Sequence, residues 1–341
     1  MAFKRDGRRH MKAQISTEPG GPETLRLIEM DDPQPKDNQI LLRIHATGVN
    51  YPDALIIRDL YQAKPPRPFA PGSEMAGEIV AVGKDVSGFA VGDHVIGLSD
   101  NGGFATHVCL HPDQLIKTPN DMPFDEAACF ILTYGTSHHA LKNRARLLAG
   151  ETILILGAAG GVGVAAIELA KCIGARVIAA VSSEEKARFC TEIGADLTLI
   201  YKPDMGRDDQ RPFSGQIKDL AGPGGVDVVY DAVGGAYSEP AFRSLSWEGR
   251  FLVVGFPSGI PKMPLNLPLL KGAQILGVFW GAWTQRDPKG HERNAQELFG
   301  LYRAGKLRPR ITASFPLERS AEALELLESR KALGKIVVTM R

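Results

Sequence analysis

The segment that most constrains the fold is a glycine-rich turn, Gly-Ala-Ala-Gly-Gly-Val-Gly, at residues 157–163. It directly follows an apolar run at residues 152–156 and directly precedes a helical pattern at residues 164–173. A buried strand, a glycine turn and a helix N-terminus together form a site for a pyrophosphate, because glycine allows close backbone approach and the helix start offers unpaired N–H groups. The alternative is an ordinary glycine-rich turn between a strand and a helix. The context of this turn favours dinucleotide binding.

The composition excludes several classes of partner. The chain has 341 residues, room for two domains, and its 40 basic residues against 39 acidic ones give a net charge of +1. That balance makes no case for binding nucleic acid or an anionic membrane. The longest uncharged apolar run, residues 153–167, is too short to span a membrane and contains the glycine turn. Four scattered cysteines favour a reducing cytoplasm.

The chain has two regions with different predicted secondary-structure patterns, after a short basic N-terminal segment. Residues 1–10 are basic and without an apolar pattern, so we expect a disordered tail and a fold that starts at Met11. Residues 11 to about 130 read as a small β-barrel, in which residues 40–47 alternate as a strand with one buried face. From about residue 134 strands and helices alternate, which predicts a doubly wound parallel sheet of six strands. The strands are predicted at 152–156, 176–181, 197–200, 226–230, 250–254 and 274–279, with helices at 162–173, 184–193, 214–221 and 238–245.

Seven short motifs are spread along the chain, at residues 48–53, 71–74, 91–93, 133–136, 157–163, 229–235 and 252–256. Together they resemble the medium-chain dehydrogenase/reductase superfamily, in its zinc-free NADPH:quinone oxidoreductase branch. The resemblance implies a GroES-like β-barrel catalytic domain from residues 11–133 and 281–341, and a Rossmann dinucleotide-binding domain from residues 134–280. It also implies an active site in the cleft between the domains and a homodimer paired through the sixth Rossmann strand.

The choice of nucleotide depends on the end of the second Rossmann strand. An acid there usually holds the ribose 2′-OH of NAD, but this chain has Ser182. The resemblance implies that Ser182, Lys186 and Tyr201 surround the 2′-phosphate of NADPH, with Gly160, Gly161 and Val162 at the pyrophosphate. Two alternatives stay open: Ser182 and Glu185 can form a capping box, and the neighbouring carboxylates can favour NADH.

The nicotinamide half of the cofactor is expected at the strand ends. The resemblance implies contacts from six residues: Thr133, Val233, Gly255, Phe256, Ser258 and Phe279. Asp231 is either a further contact or a buried carboxylate that accepts backbone N–H bonds. Trp280 and Trp283 either form an apolar wall for a planar substrate or pack in the core or in a dimer interface.

We expect no metal. Zinc-dependent relatives have a cysteine and a histidine at the places where this chain has Asn50 and Ser73, and an amide and a hydroxyl are poor zinc ligands. One constellation argues for a metal: His107, Cys109 and His111 alternate and would share one face of a strand. The alternative is that they form one face of a barrel strand.

Without zinc to polarise a carbonyl, the remaining chemistry is hydride transfer to an electron-poor acceptor, a quinone or a conjugated enone. Tyr51 is predicted to hydrogen-bond the acceptor oxygen or to donate a proton, Asn50 to orient the substrate or the nicotinamide ribose, and Asp53 to organise the loop. Tyr51 can equally be an aromatic wall without a proton role. The main prediction is an NADPH-dependent quinone oxidoreductase; the alternatives are an enoyl or alkenal double-bond reductase, or an NADPH-binding sensor or structural protein without turnover.

Overall fold

A computed structural model of the chain describes residues 10–340, which divide into two compact units. Unit 1 comprises residues 10–132 and 311–340, and unit 2 comprises Thr133–Arg310. Residues 1–9, the rest of the predicted disordered tail, lie outside the described residues. No helix within residues 10–340 has both the length and the apolar character that crossing a membrane requires.

The first segment of unit 1 contains seven strands and two short helices. They are β1 (His10–Ile15), β2 (Arg26–Asp31), β3 (Ile40–Val49), α1 (Tyr51–Ile56), β4 (Glu74–Val82), β5 (His94–Leu98), β6 (His107–Leu110), β7 (Leu115–Lys117) and α2 (Phe124–Ala127). The expectation that the fold starts at Met11 is wrong by one residue. His10 already belongs to β1 and lies opposite Asp31 of β2 in an antiparallel pair.

Over residues 40–47, the second face of strand β3 is buried at two of its four positions, whereas the alternating pattern predicted only one buried face. Leu41 and Thr47, on the face expected to meet solvent, are buried along with Ile40, Leu42 and Ile44. The reason is its central place, since β3 pairs with β4 and β6 and also with the last strand of the chain. Thr47 satisfies its buried hydroxyl by donating a hydrogen bond to the carbonyl of Gly103 at 2.6 Å.

Unit 2 is a six-stranded, wholly parallel sheet with helical connections. Its helices are α3 (Ile131–His138, which begins two residues before the boundary), α4 (Gly161–Ile173), α5 (Glu184–Ile193), α6 (Arg207–Ala221), α7 (Ser238–Arg243), α8 (Asn266–Lys271), α9 (Trp280–Arg286) and α10 (Pro288–Arg303). Its strands are β8 (Thr152–Leu156), β9 (Arg176–Val181), β10 (Leu197–Ile200), β11 (Val226–Asp231), β12 (Leu245–Val253) and β13 (Gln274–Gly277). They lie in the order β10-β9-β8-β11-β12-β13, which confirms the predicted α/β fold.

The last segment returns to unit 1. It contains β14 (Ile311–Pro316), α11 (Ser320–Glu328) and β15 (Lys335–Thr339), and β15 joins the sheet of the first segment by pairing antiparallel with β3. The return occurs at residue 311, later than the predicted residue 281. The reason is that α9 and α10 pack on the π-helical turn after α3: Trp283 stacks on His139 at 4.2 Å, and Asn294 donates to Asn143 at 2.8 Å.

Candidate active site

The six strands of unit 2 end at one edge of the sheet, and the predicted nucleotide-binding residues other than Thr133 follow these strand ends. Parallel register places Leu156 of β8 opposite Asp231 of β11, and Val253 of β12 opposite Gly277 of β13. The order of the strands reverses between β8 and β11, and such sheets bind their ligands at this switch point. The glycine turn follows β8 and therefore lies at the switch point.

The glycines of this turn have different roles. Gly157 has a φ of +70°, a conformation that L side chains rarely adopt. A Cβ on Gly163 would lie 2.5 Å from the carbonyl oxygen of Gly157 and 2.6 Å from the Cα of Ala158, so α4 packs too closely on the turn for a larger residue. A Cβ on Gly160 would meet only the Gly157 oxygen, at 3.5 Å. Gly160 therefore leaves open space beside the start of α4.

Helix α4 begins without a side-chain cap. Gly160 is its N-cap residue and provides no side-chain hydrogen bond. The first N–H groups of a helix, here those of Gly161 and Val162, have no intrahelical partner, and the helix dipole adds a partial positive charge. The turn thus has the open backbone and the donors that a pyrophosphate needs.

The end of β9 brings together two of the predicted phosphate residues. Lys186 donates from its Nζ to the Ser182 hydroxyl at 3.0 Å. The alternative of a capping box from Ser182 and Glu185 is wrong: Ser183 is the N-cap residue of α5, and its hydroxyl accepts from the Lys186 N–H at 3.3 Å. Tyr201, just beyond the neighbouring strand β10, donates its backbone N–H to the carbonyl of Val181, the residue before Ser182.

Asp231 is a structural carboxylate of the loop after β11. Its Oδ1 accepts from the N–H of Val233 at 2.9 Å and from the N–H of Gly234 at 2.8 Å, and its Oδ2 accepts from the Ser238 hydroxyl. The carbonyl of Val233 in turn accepts from Ser258 at 2.9 Å. Asp231 therefore fixes the two loops that carry several of the predicted nicotinamide contacts. This structural alternative from the sequence is confirmed.

The aromatic residues after β13 separate into different environments. Phe279 is 60% exposed, whereas Trp280 is buried. Trp280 packs so closely on α3 that a Cβ on Gly135 would lie 2.8 Å from its ring. Trp283 stacks on His139. Phe256 is exposed, and Thr133 is buried in α3. The three aromatic residues after β13 thus do not form one flat wall.

In unit 1, Asn50 lies at the centre of a buried polar cluster that also contains Asp53, Glu74 and Lys335. Its amide nitrogen donates to the carbonyl of Gly48 at 3.1 Å and to Oε2 of Glu74 at 3.4 Å. Its amide oxygen accepts from Nζ of Lys335 at 2.6 Å. The side chain of Asn50 is therefore held by the interior of unit 1.

Asp53 fixes the start of α1. Its Oδ2 accepts from the backbone N–H of Asn50 at 2.7 Å. The other oxygen, Oδ1, and the Ser73 hydroxyl are buried without a well-formed hydrogen bond. Burial raises the pKa of Asp53 to about 6, although the Asn50 N–H, the nearby Ser73 and the charge of Lys335 lower it.

Glu74 and Lys335 form the ionic part of the cluster. Their charged atoms lie 3.8 Å apart, and Glu74 also accepts from the N–H of Leu132 at 2.7 Å. Burial raises the pKa of Glu74 to about 7, against the lowering effect of the Lys335 ammonium and the Leu132 N–H. Burial therefore shifts the titration of the Glu74 carboxyl toward neutral pH.

Lys335 was not identified as a site residue from the sequence. Glu74 was included only as part of the motif at residues 71–74. The one available signal for Lys335 is its place at the head of an apolar strand, Lys-Ile-Val-Val-Thr, which ordinarily excludes an unpaired charge. Tyr51 differs from its neighbours because it is 39% exposed at the first turn of α1. Of the three predicted catalytic residues, Asn50 and Asp53 face inward and Tyr51 is accessible.

The residues offered as metal ligands do not converge. Within residues 10–340, no three side chains of the His, Cys, Asp or Glu type lie together in a group that could hold a metal ion. His107 lies 3.7 Å from the carboxylate of Asp32 and 3.2 Å from the Thr106 hydroxyl. Its environment is that of a strand residue paired with its neighbours.

Two family models match the chain. Residues 36–120 match the alcohol dehydrogenase GroES-like domain, and residues 161–294 match the zinc-binding dehydrogenase domain. The quinone oxidoreductase-like protein 2 homolog of Nematostella vectensis is 34% identical over 98% of this chain and 90% of its own. Human quinone oxidoreductase is 32% identical over 98% of this chain and 99% of its own.

Solved structures agree with this relationship. Mycobacterial Rv1454c, solved in complex with NADPH, superimposes with a TM-score of 0.88 at 31% identity, over 96% of this chain and 99% of that one. Escherichia coli quinone oxidoreductase, also solved with NADPH, gives a TM-score of 0.87 at 27% identity, with the same coverage. The chain therefore belongs to the medium-chain dehydrogenase/reductase superfamily, as a quinone oxidoreductase-like enzyme.

Proposed function

We propose that this protein binds NADPH and transfers a hydride from it to a quinone, without a zinc ion. The observation that carries the proposal is the open glycine turn at the switch point of the sheet, with the Ser182–Lys186 pair at the end of the next strand. Both solved relatives described above were obtained with NADPH.

The residues of unit 2 fit the parts of this cofactor. The open backbone at Gly160, Gly161 and Val162 suits a pyrophosphate, and Ser182, Lys186 and Tyr201 suit a 2′-phosphate, since an ammonium and hydroxyls all donate to phosphate oxygens. The remaining candidates for the nicotinamide half are Thr133, Val233, Gly255, Phe256, Ser258 and Phe279. When bound, the nicotinamide supplies a hydride, which carries two electrons.

The donor set at the start of α1 does not fit zinc. The positions where zinc-dependent relatives have a cysteine and a histidine are occupied by Asn50 and Ser73. The Asn50 amide is already held on both sides, and its oxygen lies 2.6 Å from the Lys335 ammonium, which repels a cation. The matched family description names zinc, but these residues do not offer it a thiolate or an imidazole.

The acceptor needs one proton in addition to the hydride, because a quinone that gains a hydride and a proton becomes a hydroquinone. Tyr51 is the accessible side chain of the loop and is proposed to hydrogen-bond the acceptor oxygen, which favours the charge that develops there. Asn50 and Asp53 are proposed to hold the backbone that carries Tyr51. The hydrogen bond from the Asn50 N–H to Asp53, and the one from Lys335 to the Asn50 amide oxygen, support this positioning role.

We also propose a homodimer paired through β13. This strand ends the sheet order, so its outer edge has no partner in the described residues, and Ile275 on it is exposed. Leu265, Leu269 and Leu270 of the preceding segment are also largely exposed. An open strand edge beside exposed leucines is an arrangement that proteins usually cover.

A titration of NADPH by fluorescence, followed by NADPH oxidation with quinones, alkenals and enoyl thioesters, tests the proposed function. We expect binding and turnover that is fastest with quinones, and a higher kcat/KM with NADPH than with NADH. Turnover confined to alkenals or thioesters would instead identify a double-bond reductase. Binding without any turnover would identify a sensor or structural protein.

A further inference from the structure

A pocket lies at the carboxyl end of β13, and of its lining residues only Phe279 is a candidate contact of the cofactor. It is an open pocket of about 460 Å³ whose lining includes His139, Asn143, Arg144, Phe279, Trp283 and Arg286. All of these residues belong to unit 2. The pocket begins where β13 ends, at the edge of the sheet that carries the glycine turn and the other strand ends.

Two arginines give the pocket its charge. Arg144 donates from Nε to the carbonyl of Gly277 at 3.0 Å, and Arg286 donates from Nη1 to the carbonyl of Ala282 at 3.0 Å. Each bond uses one of the five N–H donors of a guanidinium, so both groups are placed and keep donors for a ligand. No lining residue of the pocket is acidic.

The two arginines of the pocket are not held in ion pairs, whereas seven other arginines of the described residues are. Arg43, Arg58, Arg67, Arg243, Arg250, Arg310 and Arg319 all form ion pairs. Among the residues that the structure describes, no carboxylate forms such a pair with Arg144 or Arg286. Two acids of neighbouring segments already have partners: Asp287, next to Arg286, accepts from the Gly290 N–H, and Glu297 is paired with Lys142. The positive charge of the pocket is thus available to a ligand.

The aromatic part of the pocket is fixed. Trp283 and His139 stack with ring centroids 4.2 Å apart, and the His139 ring lies 3.1 Å from the Asn143 side-chain oxygen. Burial lowers the pKa of His139, which favours its neutral form, so the arginines carry the charge. Phe279 is exposed beside them. Flat rings next to guanidinium groups suit a planar, conjugated anion.

We propose that this pocket binds the acidic group of the electron acceptor, so that the physiological acceptor is a conjugated quinone or enone bearing a carboxylate, sulfonate or phosphate. The inference rests on the proposed function, because Phe279 is also a candidate contact of the nicotinamide half. It adds a substrate class: Arg144 and Arg286 hold the anionic group, and the conjugated part extends along Phe279.

The test compares menadione with a naphthoquinone sulfonate in the parent and in two variants, Arg144→Gln and Arg286→Gln. Losing one guanidinium contact should raise KM for the sulfonate about tenfold and leave KM for menadione and kcat within about twofold. Arg303→Gln is the matched control, since Arg303 is exposed in the same unit and donates to a backbone carbonyl one helical turn back, as Arg286 does. This control should leave KM and kcat unchanged for both quinones.

Three results would overturn the proposal. They are an equal change of KM for both quinones, no change of KM for either, or a change of oligomeric state in the arginine variants, measured by light scattering. Calorimetric titration with naphthalene sulfonate separates the pocket from the reaction, because it needs no turnover. Arginine-dependent binding of this probe in a protein that reduces no quinone or enone would support the anion pocket and refute the proposed function.

Discussion

The glycine turn of unit 2 and the buried cluster of unit 1 both lie between a buried strand and a helix, yet they hold polar groups in opposite ways. The turn after β8 offers backbone N–H groups and almost no side chain. The cluster around the loop after β3 holds an amide, two carboxyl groups and an ammonium in the interior, with the second carboxyl group from β4 and the ammonium from β15. A backbone site depends on space and is sensitive to added atoms, whereas a side-chain cluster depends on charge balance and is sensitive to pH.

The largest effect is expected when the charge balance of the cluster is broken. Lys335→Met removes the only cation of the cluster and should cost about 3–5 kcal/mol of unfolding free energy at pH 8, as removal of one partner of a buried ion pair does. Denaturant unfolding measures it. Lys12→Met is the control, because Lys12 forms an exposed pair with Glu318 in the same unit and should cost about 0–1 kcal/mol.

The pH dependence of the unfolding free energy tests the same charge balance. Glu74 has a folded-state pKa of about 7, above its ordinary value of 4.5, so it destabilises the fold progressively as pH rises between those values. Without Lys335 the folded pKa rises further, and the loss of stability should continue above pH 7. Adding Glu74→Gln should recover part of that loss at pH 8. Identical pH profiles for parent and Lys335→Met would contradict the charge-balance account.

Removal of the accessible hydroxyl of the same loop should act on turnover and leave stability unchanged. Tyr51→Phe should lower the rate with enones about 100-fold and the rate with quinones much less, because quinones are better acceptors without an acid. Steady-state rates with both substrates check this. Tyr61→Phe, in the same unit and outside the loop, should alter neither the enone rate nor the quinone rate. An unchanged enone rate in Tyr51→Phe would show that Tyr51 donates no proton and only forms an aromatic wall of the site.

In the backbone site, one added methyl group should have a clear effect. Gly163→Ala places a Cβ against backbone atoms of Gly157 and Ala158, and should cost about 1–3 kcal/mol and weaken NADPH binding. Gly300→Ala in α10 meets open space and should be neutral or slightly stabilising. Melting temperatures and NADPH titrations of both variants measure the difference. Equal behaviour would mean that the turn tolerates a side chain.

The smallest effect concerns the choice of nucleotide. Lys186→Ala removes the ammonium that lies 3.0 Å from the Ser182 hydroxyl, and should lower the preference of kcat/KM for NADPH over NADH about tenfold. Arg188→Ala, on the exposed side of the same helix, should leave the preference unchanged. Equal use of both nucleotides by the parent protein would show that Lys186 does not read a 2′-phosphate.

The same contrast explains what could be predicted from the sequence. Strands β8, β9 and β10 and helix α5 were predicted with their observed bounds, because apolar runs and glycine turns are local patterns. The family resemblance, not a local pattern, implied that Ser182 and Lys186 lie around one phosphate, and the structure places their polar atoms 3.0 Å apart. Helix α9 was not predicted, since its Trp-Gly-Ala-Trp start carries no helix signal that separates it from β13.

The buried cluster could be predicted only in part. Asn50 and Asp53 are near neighbours in one motif, and their capping arrangement is a local pattern. Glu74 and Lys335 come from distant strands, and only the pairing of β15 with β3 brings the ammonium to Asn50. A pattern along the chain does not encode which strands pair at such separations. The ion pair of Glu74 with Lys335 could therefore not be predicted from the sequence.

The position of Lys335 also affects how the protein is made. All six strands of unit 2 come from one continuous stretch, whereas the cation of the buried cluster, Lys335, is translated only after that entire stretch has been translated. Until then, the nascent first segment carries two acids destined for burial and has no ammonium to offset them. Folding of unit 1 is therefore expected to finish only once β15 has been made, and a ribosome-stalled chain ending before β15 should remain open to proteases at its first segment.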